Sequence, residues 1–151
     1  MRVEAPIQVD RKTKKLAKRL STGDIAVINH TDIDEVAANS LVECKIKLVI
    51  NAAPSISGRY PNKGPKILID NNILIIDNVG EEVFEDLKEG QIIEVNNGLI
   101  YRDGQLIGQG EVMDKSVVEQ KTKIAYENMS VELDRFIDNT IEYAKREKGF
   151  I

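Results

Sequence analysis

Two hydrophobic periodicities divide the chain. Apolar residues run unbroken at Ile25-Ala26-Val27-Ile28, Leu48-Val49-Ile50 and Ile73-Leu74-Ile75-Ile76. Runs of that length predict strands buried on both faces. Between the first two, Ile33, Val36, Ala37, Leu41 and Cys44 recur near the 3.6-residue period, which predicts a helix capped by Thr31 or Asp32. Strand, helix and strand over this length imply a right-handed parallel crossover. Pro65–Asn71 reads as a short helix, and Gly80 and Glu81 open another that ends at Gly90. Upstream, Asp10 is placed to cap a helix over Arg11–Leu20.

After Gly90 the period changes to two. Gln91–Val95, Leu99–Tyr101 and Gln105–Val112 read as strands, with Asn97-Gly98 and Asp103-Gly104 as hairpin turns. Gly108-Gln109-Gly110 lies inside the last of these and predicts a bulge. The segment Asp114–Lys148 is one helical pattern with no Pro or Gly inside it. At 1.5 Å per residue it is about 50 Å long, against a globule about 35 Å across. It therefore overhangs. Met129, Leu133, Phe136, Ile137, Thr140, Ile141, Tyr143 and Ala144 give it an apolar stripe. An overhanging stripe calls for a second copy or a following domain, so Met129, Leu133, Phe136, Ile137 and Ile141 are the candidate oligomerisation residues.

These elements describe a mixed α/β domain with a parallel βαβ core and a C-terminal antiparallel meander. Residues 1–22 are expected as a basic arm and helix, 23–112 as the globular domain, and 113–151 as a linker or dimerisation helix. Composition adds bounds. Hydrophobic residues at 42% allow a core, which must be aliphatic because Trp is absent. No apolar run approaches the roughly 18 residues of a membrane span. Cys44 is the only cysteine, which fits a reducing cytoplasm. The first twenty residues hold seven Lys/Arg against Glu4 and Asp10, a net +5, within a chain of net −4. Such an arm can meet phosphate or an anionic membrane, serve as a solvated face, or dock on the acidic body.

Motifs for chemistry are sparse. The sequence has no phosphate-binding Gly-x-x-x-x-Gly-Lys-[Ser/Thr] loop, no Gly-x-Gly-x-x-Gly and no Gly-x-Ser-x-Gly elbow. His30 is the only histidine and no cysteine joins it at ligand spacing, so no metal site, cofactor or catalytic residue is expected. Cys44, on a helix stripe, reads as core. The richest stretch is the loop Asn51–Pro65. It follows a buried strand, where open α/β sheets bind ligands, and it ends at a helix start. The candidate ligand-binding residues are Ser55, Ser57, Gly58, Arg59, Tyr60, Asn62 and Lys63 on the loop, with Asp77 and His30 beside it. Their hydroxyls and cations suit an anion or a glycan. Nucleic acid is not predicted as a partner.

The strings Val9-Asp10-Arg11-Lys12-Thr13-Lys14, Gly23–His30, Asn51–Asn62 and Asp77-Asn78-Val79-Gly80 resemble the N-terminal region of the SteA-like family. These are bacterial proteins described as cytokinetic-ring proteins, with a thiamine-pyrophosphokinase-like C-terminal region. The resemblance covers nearly the whole chain and implies a role in cell division or cell separation. It further implies a kinase-like domain beyond Ile151 as a partner, and membrane attachment beyond that domain. A non-catalytic assembly and binding domain is the expectation; the alternative is an accessory substrate-binding domain for the kinase-like region. A second resemblance, through Gly23-Asp24-Ile25-Ala26-Val27, Gly58-Arg59, Ile73–Ile76 and Leu87-Lys88-Glu89-Gly90-Gln91, is to the swivelling phosphohistidine domain of phosphoenolpyruvate-utilising enzymes. It implies a swivelling β/β/α fold. Its phosphoryl-carrying Ser-His pair is replaced here by Asn62-Lys63-Gly64-Pro65, so its chemistry does not carry over.

Overall fold

The computed structural model describes residues 1–149; Phe150 and Ile151, the end of the expected linker helix, lie outside the described residues. Eight strands form one sheet: β1 (Arg2–Val9), β2 (Ile25–Ile28), β3 (Leu48–Asn51), β4 (Leu74–Asp77), β5 (Ile92–Asn96), β6 (Leu99–Arg102), β7 (Gln105–Gln109) and β8 (Glu111–Met113). Their order is β7-β6-β5-β1-β2-β3-β4-β8. Strands β1 to β4 are parallel neighbours, and β5, β6, β7 and β8 join antiparallel. Five helices complete the chain: α1 (Thr13–Ala17), α2 (Glu35–Glu43), α3 (Gly64–Asp70), α4 (Glu81–Asp86) and α5 (Lys115–Glu147). The expected parallel core, antiparallel meander and long C-terminal helix are all present.

Two cores sandwich the parallel strands. On one face Ala26, Ile28, Val49 and Ile75 pack against Leu16 of α1, Leu41 of α2, Leu68 of α3 and Val118 of α5. On the other face Ile7, Ile25, Val27, Ile50 and Ile76 meet Ile93, Val95 and Ile100 of the antiparallel strands and Phe84 of α4. The layers are therefore β, β and α. Every residue of β2 and β3 is buried, which is why Ile25–Ile28 and Leu48–Ile50 read as unbroken apolar runs.

The first twenty residues depart from expectation. Residues 2–9, expected within a basic arm, form β1 in the middle of the sheet. Val3, Ala5, Ile7 and Val9 alternate toward the second core, while Arg2, Glu4 and Gln8 between them obscure the strand. Pro6 is accommodated where β1 passes from β5, its partner over Arg2–Pro6, to β2, its partner over Ile7–Val9. The helix expected over Arg11–Leu20 is only the five residues of α1, and Asp10 does not cap it. The Asp10 carboxylate instead accepts from the Lys12 N–H at 2.9 Å and pairs with Arg19 at 3.0 Å. The arm's arginines dock on the acidic body: Arg2 on Glu94, Arg11 on Glu81, and Arg19 on Glu89.

Two further differences have local causes. Helix α2 is capped by Asp34, whose side chain accepts from the Ala37 N–H at 2.8 Å. Asp32, an expected cap, is instead bonded to Ser57. Val36, expected on the buried stripe, is 76% exposed, because Ala37, Ala38 and Leu41 fill the inward face. The strand expected over Gln105–Val112 breaks at Gly110. A Cβ there would sit 2.6 Å from the Asp77 carbonyl oxygen, so only Gly lets the chain cross to pair β8 with β4.

Candidate functional site

The C-terminal ends of the parallel strands share one polar chain. Asn51 closes β3, and its buried carboxamide reaches in both directions. Its Oδ1 accepts from the His30 N–H at 3.0 Å, and its Nδ2 donates to the His30 carbonyl at 2.9 Å. The same Nδ2 donates to Ser55 Oγ at 2.7 Å. Ser55 in turn donates its hydroxyl to Asp77 Oδ1 at 2.7 Å and its N–H to the same oxygen at 3.0 Å. At the other end, His30 Nδ1 meets the Thr13 hydroxyl at 2.9 Å. The chain Asp77–Ser55–Asn51–His30–Thr13 thus links the ends of β4, β3 and β2 to the start of α1.

Burial raises the Asp77 carboxyl above its ordinary range, and the two Ser55 bonds partly offset this. Ser55 is fully enclosed and Asp77 nearly so. Both were expected to touch a ligand; the structure places them under the loop as its anchor. Asn62 has the same role from the far side of the loop. Its Nδ2 donates to the carbonyls of Ile33 at 2.9 Å and Ser55 at 2.8 Å. Two carbonyls at that nitrogen fix the amide's orientation, and the buried Asn62 Oδ1 has no partner among the described residues. Gly64, opening α3, lies so close to Ile33 that a Cβ would collide with the Ile33 carbonyl.

The remaining predicted residues fall into three places. Ser57 is tied to Asp32 through its N–H at 2.6 Å and its hydroxyl at 2.8 Å. Gly58, at φ +89°, turns its carbonyl to accept from Asn128 Nδ2 of α5 at 2.6 Å. With Arg59 and Tyr60, these residues form one wall of a groove of about 720 Å³ whose other wall is α5 at Met129, Val131 and Leu133. Lys63 lies on the opposite side, in a cavity of about 460 Å³ between α3 and α5. His30 opens into a separate cavity of about 610 Å³ between α1 and α2. The fold thus distributes the nine residues over the buried anchor and three cavities.

Asn51 was missed. An Asn closing an otherwise apolar strand, buried on both faces, is the signal that could have found it. The expected oligomerisation residues lie where the stripe placed them. Met129 is half-buried against the groove, while Leu133, Phe136, Ile137 and Ile141 are exposed along the free half of α5, Phe136 at 67%. Among the described residues, no helix is long and apolar enough to cross a membrane, and no three or more His/Cys/Asp/Glu side chains are grouped to hold a metal ion.

No family model matches the chain, and no curated protein matches its sequence. Among solved structures it is similar to 3-isopropylmalate dehydratase (leuD) from Methanocaldococcus jannaschii, at 14% identity and a TM-score of 0.46, over 93% of this chain and 99% of that chain. At that level no residue role passes from that enzyme to this chain.

Proposed function

We propose that this chain is an assembly and binding domain, without chemistry of its own, of a SteA-like protein of cell division or cell separation, and that it pairs with a second copy through α5. The observation that carries the reading is the free half of α5. From residue 127 onward nearly every side chain is exposed, yet Leu133, Phe136, Ile137 and Ile141 hold one apolar stripe. A solitary surface helix gains nothing from such a stripe, whereas a paired one buries it.

Charge favours an antiparallel pairing. Residues 127–142 hold Glu127, Glu132, Asp134, Asp138 and Glu142 against Arg135 alone. Residues 145–148 hold Lys145, Arg146 and Lys148 against Glu147. A parallel pair lays acidic block on acidic block. An antiparallel pair crossing near Phe136 and Ile137 lays the basic end of each helix beside Glu127 of the other, and also opposes the two helix dipoles. The groove at Ser57–Tyr60 then lies next to the partner's basic end. The SteA-like strings support the cellular role, and a cytoplasmic location, with membrane attachment supplied outside this chain, accompanies it.

Light scattering on the parent and on a Phe136→Glu/Ile137→Glu variant tests the pairing. The parent is expected at twice the mass of one chain and the variant at one, with unchanged circular dichroism. Equal masses for the two would remove the support that α5 gives this reading.

A further inference from the structure

The cavity between α1 and α2 is separate from the α5 surface, and its chemistry is different. It lies beyond the C-terminal ends of β1 and β2, where parallel strands leave their loops. Lys12 and Lys14 line it, and among the described residues neither makes an ion pair, although the body of the protein is acidic. Arg11, their neighbour, is committed to Glu81 and Glu85 and covers the Phe84 ring. The one acid lining the cavity, Asp34, is occupied by the N–H of Ala37.

His30 is held in place more firmly than a loop residue needs. Asn51 clamps its backbone on both sides, and Thr13, itself buried, fixes Nδ1. Nε2 has no protein partner among the described residues and is not enclosed, so it is the ring nitrogen left for a ligand. Lys12, Lys14 and the oriented imidazole of His30 line one cavity whose α2 wall, Val36 and Ala37, is apolar. We infer that this cavity binds a phosphate monoester: Lys12, Lys14 and His30 take the phosphate, and the α2 wall takes an apolar or planar body.

The phosphate could come from a soluble metabolite or a lipid headgroup, and two probes separate them. The intact chain is titrated calorimetrically with phenyl phosphate, and is sedimented with phosphatidylcholine vesicles with and without phosphatidic acid. Saturable binding of phenyl phosphate, weakened about twentyfold in Lys12→Ala/Lys14→Ala and about fivefold in His30→Gln, is the expected result. Arg59→Ala, in the other groove, leaves it unchanged. Binding only to vesicles that contain phosphatidic acid, lost in Lys12→Ala/Lys14→Ala, assigns the same site to a lipid headgroup. Binding to neither probe, or binding undiminished in the double variant with its circular dichroism intact, overturns the inference.

Discussion

Removing the Asp77 carboxylate tests whether the polar chain under the loop holds the site together. In Asp77→Ala the Ser55 N–H and hydroxyl lose their acceptor, at 3.0 and 2.7 Å, in a place where Ser55 has no access to solvent. Each orphaned buried donor costs about 1–3 kcal/mol, and some of the hydroxyl's loss is recovered by rotation, so a total of about 3 kcal/mol is expected. For a chain of this length that lowers the melting temperature by roughly 10 °C. Asp77→Asn behaves differently, because it keeps the shape and an oxygen for the Ser55 N–H while removing a buried charge. It should lie within about 1 kcal/mol of the parent near neutral pH.

The pH dependence separates the two effects. Burial holds the folded carboxyl above its ordinary range, so between the unfolded and folded titrations the folded state binds the proton that the unfolded state releases. The contribution of Asp77 to stability is therefore fully present below the unfolded titration and falls as pH rises through the folded one. Urea unfolding of Asp77→Asn and parent, followed by circular dichroism from mildly acid to neutral pH, should show the variant gaining on the parent as pH rises. A stability of Asp77→Ala within 1 kcal/mol of the parent, or an Asn variant that loses ground with rising pH, would refute the reasoning.

Three other substitutions and reagents probe the frame. Gly64→Ala pushes a methyl onto the Ile33 carbonyl and should cost about 3 kcal/mol in urea unfolding, a loss that an indifferent loop would not show. Val36→Ser, at a position 76% exposed, should change stability by less than about 0.5 kcal/mol; a larger loss would put Val36 in the core after all. Burial, with Glu43 beside it, raises the Cys44 thiol, whose single S–H is shared between the Ala17 and Ser40 carbonyls, each 3.3 Å from Sγ. Native protein should therefore react with a disulfide reagent about tenfold more slowly than urea-unfolded protein at mildly alkaline pH, and equal rates would contradict that environment.

The parts of the fold written as uniform patterns could be read from the sequence. The runs at Ile25–Ile28 and Leu48–Ile50 have to be buried strands, and the hairpins at Asn97-Gly98 and Asp103-Gly104 fall where both turn residues take positive φ. Strand β1 could not be read in the same way. Its apolar positions alternate with Arg2, Glu4 and Gln8 and are interrupted by Pro6, and only pairing with β5 and β2, both distant in sequence, makes that segment a strand. At the site, the sequence located the loop but not the direction its side chains take. Ser55 and Ser57 are both small hydroxyl residues two positions apart, yet one is sealed against Asp77 and the other meets Asp32 at the surface. That choice is set by Asn51 and Asn62, which pull the loop inward through contacts with Ile33 and His30, residues about thirty and twenty positions away. No local pattern encodes contacts of that span.

Sedimentation equilibrium of the unaltered chain over a range of concentrations tests the assembly claim most directly. The free apolar half of α5 predicts a reversible two-chain species that grows with concentration, and that Phe136→Glu/Ile137→Glu abolishes. A mass of one chain at every concentration, up to the high micromolar range, would contradict it.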